Sequence, residues 1–192
     1  MGKGPKEVEI KFLIDDLRSL NQRLKSSGFR LKTRRTHEMN TLYDLPGQQL
    51  RKRGELVRVR HYGPEWVLTH KAKAVSKRHK SRVELETKVQ DGQQMQAILA
   101  ALGFQPIFIY EKFRAEWTDG VGHVVVDETP IGNVGEIEGP PRWIDRTAKA
   151  LQIAPREYIT KSYAELFSDW KNAAGHTGNE MTFRAVSRRN AR

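Results

Sequence analysis

Residues 7–12 read Glu-Val-Glu-Ile-Lys-Phe, and this strict alternation of ionisable and apolar side chains is typical of a β-strand. Successive side chains of a strand point to opposite faces, so Glu7, Glu9 and Lys11 lie together on one face. The apolar residues lie on the other. The stretch therefore predicts a half-buried strand whose polar face carries both acidic and basic groups.

The same alternation recurs along the chain, and nearly every copy has an ionisable face of mixed sign. Arg58 and Arg60 share a face in one copy, and Lys112 and Arg114 share a face in another. The further strand candidates are residues 56–60, 66–73, 82–88, 112–117, 123–127 and 134–138. Together with residues 7–12 they predict seven strands with a charged face.

Apolar residues at helical spacing predict four helices, over residues 15–27, 92–102, 141–151 and 155–171. Such helices can cover the apolar face of a sheet, which makes the predicted fold α+β. An antiparallel sheet closed on itself would turn the charged faces inward and form a tunnel. About eight strands leave room inside for side chains or one small ligand. An open sheet, with helices on one face and water on the other, explains the alternation equally well.

An internal repeat favours the closed, two-halved arrangement. The Glu-x-Glu-x-Lys pattern of residues 7–11 recurs at residues 84–88, 77 positions later, and an amphipathic stretch follows each copy. A third Glu-x-Glu, formed by Glu136 and Glu138, again precedes a predicted helix. Three strand-to-helix units with the same acidic pair indicate a repeated architecture.

The composition restricts the classes of protein and of partner. The chain has 192 residues, a formal net charge of +11 and no cysteine, which excludes disulfides, thiolate metal sites and cysteine nucleophiles. No apolar run approaches the roughly 20 residues that span a bilayer, and no secretory leader is recognisable at the start. We therefore expect a cytoplasmic protein without membrane association. The positive charge calls for an anionic partner.

The charged strand faces carry the chemistry of a polyphosphate site. Carboxylates gathered inside a protein require cations, and carboxylate oxygens suit Mg²⁺ or Mn²⁺. The acidic candidates for metal binding are Glu7, Glu9, Glu84, Glu86, Asp127, Glu136 and Glu138. Lysine and arginine side chains can hold several phosphates. The basic candidates for substrate binding are Lys11, Arg58, Arg60, Lys71, Lys73, Arg82, Lys112 and Arg114. Phosphoryl transfer depends mainly on positioning and charge neutralisation, so no nucleophilic side chain is required.

These residues, taken in their order along residues 6–170, resemble the CYTH proteins, also called triphosphate tunnel metalloenzymes. The match begins at Glu-x-Glu-x-Lys (residues 7–11) and ends at Glu136 and Glu138. The resemblance implies an eight-stranded antiparallel tunnel that acts on a triphosphate with a divalent metal. It implies metal binding by Glu7, Glu9, Glu136 and Glu138, with contributions from Glu84, Glu86 and Asp127. It implies that the phosphate-binding and catalytic residues are Lys11, Arg58, Arg60, Lys71, Lys112 and Arg114.

Within that family, residues 124–139 and 158–167 resemble bacterial class IV adenylyl cyclases, which convert ATP to cyclic AMP and pyrophosphate. Related proteins hydrolyse inorganic triphosphate or thiamine triphosphate instead. The shared residues handle the triphosphate, so they distinguish neither the organic group nor the phosphorus attacked. A cyclase, a triphosphate phosphohydrolase and a non-catalytic polyphosphate-binding module therefore all stay open.

Two basic segments remain. The run at residues 71–82 lacks the interleaved aromatic residues of a nucleic-acid surface, so we expect a basic loop at the tunnel mouth and no nucleic-acid partner. Residues 172–192 are polar and are expected to form a disordered basic tail behind a single domain over residues 1–171. A homodimer is left open.

Overall fold

The computed structural model describes residues 4–76 and 78–187. Within these residues, ten strands and six helices follow one another. In order they are β1 (Lys6–Leu13), α1 (Leu17–Ser26), β2 (Arg30–Asp44), α2 (Gln49–Arg53), β3 (Leu56–Tyr62), β4 (Glu65–Lys71), β5 (Val75–Ser76), β6 (Lys80–Val89), α3 (Gly92–Ala101), β7 (Gln105–Thr118), β8 (His123–Thr129), β9 (Gly132–Glu138), α4 (Pro141–Ala150), α5 (Tyr163–Ala174), β10 (Glu180–Met181) and α6 (Phe183–Ser187).

Eight of these strands form a closed antiparallel barrel. This confirms the predicted tunnel and excludes the open sheet. The order is β1-β9-β8-β7-β2-β3-β4-β6, and β6 pairs back with β1 to close the ring. Glu7 lies opposite Arg82 at this closure, and Lys11 lies opposite Glu136 on the other side of β1. The acidic pairs of the internal repeat therefore lie on adjacent strands.

Strand β2 is the eighth barrel strand and was absent from the predicted set. It pairs with β7 along most of its length and with β3 at its C-terminal end. Residues 30–37 are polar on both faces and mostly exposed, and breaks in register interrupt the pairing with β7. These residues lack the alternation by which a half-buried strand is recognised.

The helices cover the outside of the barrel, and their ends follow local capping rules. The side chain of Asp91 accepts a hydrogen bond from the backbone of Gln94 at the start of α3, and Pro141 begins α4. Both helices begin at the residue that the sequence predicted. The helix predicted from residue 155 begins later. Pro155–Glu157 form one 3₁₀ turn, and α5 starts after Ser162, which is its N-cap.

The main hydrophobic core lies between the outer barrel wall and helices α1 and α4. Ile10, Phe12, Ile137, Trp143 and Ile144 are among its fully or almost fully buried members. Gly135 permits the barrel wall to close there, because a Cβ at this position would lie 2.1 Å from the ring of Phe12. Among residues 4–76 and 78–187, no helix has both the length and the apolarity needed to cross a membrane.

The segment predicted to be a disordered tail is folded wherever the structure describes it. Helix α5 continues to Ala174, β10 pairs in parallel with β7, and α6 follows. Met181 is fully buried against Tyr110, Tyr163 and Phe167. Val186 packs against the same cluster, and the ring of Phe183 lies 5.5 Å from that of Phe113. A few apolar side chains therefore anchor a segment whose composition is mainly polar. Residues 188–192 of the predicted tail lie outside the described residues.

Candidate active site

The barrel interior holds a cavity of about 720 Å³. Its wall contains all but two of the predicted site residues. These are Glu7, Glu9, Lys11, Arg58, Arg60, Lys71, Arg82, Glu84, Glu86, Lys112, Arg114, Glu136 and Glu138. They come from six strands, and the period-2 alternation of each strand directs them inward.

A basic side chain joins two carboxylates on β1 and β6. The Lys71 ammonium lies 2.9 Å from Glu7 and 2.8 Å from Glu84, and Arg82 lies 3.3 Å from Glu7. Burial opposes ionisation of Glu7, but Lys71, a hydrogen bond with Glu84 and the charge of Arg82 together outweigh it, and the pKa of Glu7 falls to about 2. Burial and the neighbouring Glu7 raise the pKa of Glu84 to about 8. The two carboxyl groups therefore differ in how readily they ionise, although both contact the same lysine.

A second basic side chain joins β1 to β9. The Lys11 ammonium lies 2.8 Å from Glu9 and 3.2 Å from Glu136, and all three side chains are buried. Burial disfavours the charge of Lys11, but Glu136 and Glu9 raise its pKa above the usual value. Lys11 and Arg114 overcome the burial of Glu136 and hold its pKa well below the usual range.

Lys80 belongs to the same wall and was missed as a site residue. It begins β6 opposite Glu9, and its ammonium lies 3.8 Å from that carboxylate. Burial, together with the charges of Lys11 and Arg82, lowers the pKa of Lys80 to about 8. The basic run at residues 71–82 was predicted to be a loop at the mouth, and its last residues instead enter the barrel wall.

Arg58 and Arg60 form a further cationic surface with carboxylates from β6. Arg58 lies 3.1 Å from Glu86 and 3.7 Å from Glu84, and Arg60 lies 3.4 Å from Glu86. Glu86 is the more exposed partner, and both guanidinium groups are largely shielded from solvent. These contacts hold two arginine side chains in place at the cavity wall.

Asp127 was predicted to bind metal at the cavity wall, but its side chain lies behind that wall. It is fully buried, and its carboxylate accepts hydrogen bonds from Lys112 at 2.9 Å and from Arg114 at 2.8 Å. The phenol of Tyr163 also donates to it. With both oxygens engaged, Asp127 serves the structure as a counter-ion that positions two cationic side chains.

Glu38 is a second buried counter-ion that sequence reasoning missed. Its carboxylate lies 3.4 Å from Lys112 and 3.8 Å from Arg114, and the residue is fully buried. Burial opposes its ionisation, but Lys112 and Arg114 hold the pKa of Glu38 well below the usual range. Glu38 lies on β2, whose irregular pattern concealed which of its residues face inward.

Lys73 is the other predicted residue that is absent from the wall. It follows β4, is exposed to solvent, and its side chain lies against the position where a Cβ of Gly54 would be. The prediction extended β4 by two residues beyond its actual end at Lys71. The alternation that directs residues inward therefore does not reach Lys73.

Known proteins resemble this chain in sequence and in fold. A family model for the CYTH domain matches residues 5–163. The chain belongs to the CYTH family. A Methanocaldococcus jannaschii relative named "putative adenylate cyclase" is 29% identical over 171 residues, which cover 83% of this chain and 97% of the relative.

Two solved structures show the same CYTH architecture at lower sequence identity. A "putative adenylate cyclase" from Vibrio parahaemolyticus superimposes with a TM-score of 0.77 at 19% identity, covering 86% of this chain and 99% of the other. A Hippeastrum protein, described as a "putative adenylyl cyclase" that "reveals a dominant" triphosphatase activity, has a TM-score of 0.62 at 20% identity, covering 87% and 96%. At these identities the likeness concerns the fold.

The carboxylates of this CYTH barrel fit a divalent cation by their chemistry. Among the described residues, Glu138 has no lysine or arginine within ion-pair distance. Its neighbour across the β1–β9 pair is another carboxylate, that of Glu9. Burial, then the charges of Glu7, Glu136 and Glu9, raise the pKa of Glu138 to about 7. The described part of the chain holds no ready-made cluster of three metal-binding groups, because lysines and arginines occupy the other carboxylates. An oxygen-coordinated Mg²⁺ or Mn²⁺ would relieve the repulsion at Glu138.

Proposed function

We propose that this protein is a divalent-metal-dependent enzyme that cleaves the triphosphate of a nucleotide or related substrate. The conversion of ATP to cyclic AMP and pyrophosphate is the first candidate reaction. The main support for the proposal is that basic and acidic side chains line the same cavity. Cations from β1, β3, β4, β6 and β7 face the same space as carboxylates from β1, β6 and β9.

In this proposal the basic residues bind the phosphates. Each phosphate oxygen that enters can replace a carboxylate oxygen in an existing ion pair, so the cations are already positioned for a ligand. The proposed phosphate-binding residues are Lys11, Arg58, Arg60, Lys71, Arg82, Lys112 and Arg114. Lys80 joins them because it lies in the same wall.

The proposed metal-binding residues are Glu7, Glu9, Glu136 and Glu138, with contributions from Glu84 and Glu86. A bound Mg²⁺ or Mn²⁺ would neutralise phosphate charge and polarise the phosphorus–oxygen bond that breaks. When phosphates draw Lys11 and Lys71 away, their carboxylate partners become free to accept a cation. Asp127 and Glu38 hold Lys112 and Arg114 in place and are left out of the metal set.

The carboxylates also argue for an enzyme over a passive polyphosphate-binding module. A module that only binds anions gains affinity from cations, and the six inward-facing carboxylates of β1, β6 and β9 would repel the ligand. An enzyme that acts on a metal–triphosphate complex requires both signs of charge. The abundance of acidic residues around Glu138 therefore supports catalysis.

The relatives favour two different reactions. The Methanocaldococcus jannaschii and Vibrio parahaemolyticus proteins carry a cyclase name, which supports cyclisation by the ribose 3′-hydroxyl at the α-phosphorus. The Hippeastrum protein is described by its dominant triphosphatase activity, which makes hydrolysis the second candidate. In hydrolysis, water attacks a phosphorus and phosphate is released. Both reactions use the same cations and the same metal-binding groups.

Product analysis tests the proposal directly. The protein is incubated with ATP, inorganic triphosphate or thiamine triphosphate, in Mg²⁺, in Mn²⁺ and in EDTA, and the products are separated. Cyclic AMP from ATP, formed only with metal, is the expected result. Phosphate release without cyclic nucleotide would replace the cyclase with the triphosphatase. Tight binding without turnover of any of the three compounds would support the polyphosphate-binding module instead.

A further inference from the structure

The tunnel leaves the net charge of the protein unexplained. Ten lysine and arginine side chains line the cavity, against nine carboxylates on the same walls. Glu38 and Asp127, which are buried behind the walls, add two further carboxylates. The formal charge of +11 is therefore carried by the outer surface of the protein. A triphosphate inside the barrel does not reach this charge, so the outer surface calls for a second anionic partner.

The outer positive charge is concentrated on two of the four helices that have ten or more residues. Helix α3 has no charged residue, and α5 carries Glu165 and Asp169 beside one lysine. Helix α1 has no acidic residue, and α4 has one. We call six basic residues of α1, α4 and the start of β2 the helix-pair surface: Arg23, Lys25, Arg30, Arg142, Arg146 and Lys149.

Helices α1 and α4 are held side by side by contacts at both ends. The guanidinium group of Arg23 lies 3.5 Å from the side-chain oxygen of Gln152, just beyond the end of α4. At the other end, the ring of Phe29 lies 6.1 Å from that of Trp143. Both helices bury their apolar sides in the same core. Their solvent-facing sides therefore form one continuous surface.

The side chains of the helix-pair surface have no acidic partners. All are exposed except Arg23, which is partly buried, and none forms an ion pair with a carboxylate of the described residues. Asp145 belongs to α4, but its carboxylate binds Arg78 at 3.0 Å and His79 at 2.9 Å. Asp119 lies nearby and accepts a hydrogen bond at 2.8 Å from the indole of α4. The positive charge of the surface is therefore not neutralised from within the described chain.

The helix dipole does not account for this distribution of charge. Basic residues stabilise the C-terminal end of a helix, which explains Lys25 and Lys149. Arg142 instead lies in the first turn of α4, where a positive charge is unfavourable, and that turn has no acidic residue. Arg146 follows four residues later, so two like charges adjoin on one side of the helix. Charges placed against the stability of the helix indicate an external anion.

The composition of the surface favours a phosphate backbone over a membrane or an acidic protein. Four of its six residues are arginines, whose planar forks fit phosphate oxygens, and Gln22 and Ser26 add hydrogen-bonding groups on α1. Among the described residues, no large apolar side chain that is exposed belongs to α1 or α4. Helices that lie on membranes and the centres of protein interfaces use such apolar side chains as anchors.

The lack of exposed aromatic rings favours a duplex over a single strand. Trp143, the one aromatic residue of the two helices, is 3% exposed and belongs to the core. Single strands are bound largely by stacking of their bases on aromatic rings. The same lack counted against a nucleic-acid surface at residues 71–82, but a duplex backbone requires no stacking. From Arg142 to Lys149 the surface extends about 10 Å along α4, a length that holds roughly three phosphates of one strand.

We propose that the helix-pair surface binds the phosphate backbone of double-stranded nucleic acid without reading its sequence. DNA and RNA duplexes share this chemistry. The six side chains lie outside the cavity, so the inference is independent of the proposed function. Binding is expected to weaken steeply with salt, because each phosphate contact releases counterions from the duplex.

Fluorescence anisotropy tests the inference with a labelled DNA duplex, an RNA duplex and a single strand of one sequence. The full chain is titrated in EDTA, between about 50 and 200 mM salt. The logarithm of duplex affinity is expected to fall against the logarithm of salt with a slope of about −4 to −5, as for about five phosphate contacts. The double variant Arg142→Gln, Arg146→Gln should weaken duplex binding about tenfold at low salt and make the slope shallower by about 2.

Two controls separate this surface from net charge and from the tunnel. The double variant Lys52→Gln, Lys88→Gln removes the same charge from exposed residues of α2 and β6, and it should change duplex affinity by no more than about twofold. Arg58→Ala removes a cation inside the barrel and should leave duplex binding unchanged. The duplex that binds more tightly, DNA or RNA, identifies the nucleic acid that the surface prefers.

The inference fails if neither duplex binds at the lowest salt, or if the single strand binds more tightly than both. Equal losses in the two double variants would also overturn it, because they would mean a response to net charge alone. Vesicles containing phosphatidylserine are titrated in parallel. Vesicle binding that is lost in Arg142→Gln, Arg146→Gln, without duplex binding by the wild type, would assign the surface to an acidic membrane and overturn the inference.

Discussion

The phenol of Tyr163 donates a hydrogen bond to the buried carboxylate of Asp127, and this contact ties the start of α5 to the barrel interior. Asp127 in turn binds Lys112 and Arg114, and the Lys112 ammonium lies 4.4 Å from the centre of the Tyr163 ring. Burial and then the charge of Asp127 raise the pKa of Tyr163 well above the usual value, so the phenol remains a donor. The outer helix thereby helps to position two proposed phosphate-binding residues.

Tyr163→Phe is expected to preserve the fold and to weaken triphosphate binding roughly tenfold or more. A hydrogen bond to a charged group contributes about 1.5–3 kcal/mol, and its loss leaves Asp127 to draw Lys112 and Arg114 further from the cavity. Calorimetry with ATP and the KM in Mg²⁺ measure the effect. Tyr158→Phe is the matched control, because the Tyr158 phenol contacts Asp145 outside the cavity at 3.2 Å. Equal behaviour of the two variants would contradict the positioning role.

Glu138→Gln is expected to abolish metal-dependent turnover, because it removes a charge from the proposed metal site. The same change should stabilise the metal-free protein by about 1–3 kcal/mol above roughly pH 7, since one pKa unit corresponds to about 1.4 kcal/mol and partial exposure reduces the effect.

The pH dependence of that stabilisation has a definite sign. The pKa of Glu138 is raised from 4.5 to about 7 in the folded protein, so the folded state binds more protons than the unfolded state between these values. Stability contributed by this group is present below about pH 4.5 and is lost as the pH rises through about 7.

Thermal unfolding in EDTA near pH 5 and near pH 8 tests this for the wild type and Glu138→Gln. The two proteins should differ near pH 8 and converge near pH 5. Glu128→Gln is the control, because Glu128 pairs with Arg35 at 2.7 Å outside the cavity. A difference that is the same at both pH values, or full turnover in Glu138→Gln, would count against the assignment.

Arg58→Ala is expected to weaken ATP binding by roughly 10–100-fold while changing AMP binding much less. Several cations converge on several phosphates, and each charge-assisted hydrogen bond is worth about 1.5–3 kcal/mol. Arg35→Ala removes a surface arginine that also pairs with a glutamate, so it controls for net charge. Calorimetry that shows equal losses for AMP and ATP would refute the triphosphate assignment of Arg58.

Met181→Ala is expected to lower the free energy of unfolding by about 2–5 kcal/mol, as for deletion of a fully buried side chain. Urea unfolding measures this loss, and Leu102→Ala should change the stability by no more than about 0.5 kcal/mol. A negligible effect of Met181→Ala would mean that the C-terminal segment does not pack on β7 in solution.

The sequence by itself determined where the half-buried barrel strands lie and that their inner face is charged. Alternation in residues 7–12 and in the later copies is a local property, because side-chain direction reverses at each residue of any strand. Most inward-facing charges, from Glu7 to Glu138, could therefore be identified without knowledge of the strand order.

Only the tertiary structure decided which charged side chains line the cavity and which are buried supports behind it. Asp127 has the right direction on its strand, but Lys112, Arg114 and Tyr163 enclose it from other elements. Glu38 became recognisable only when β2 paired with β7. These roles depend on contacts between residues far apart in the chain, and such contacts leave no periodic signal in the sequence.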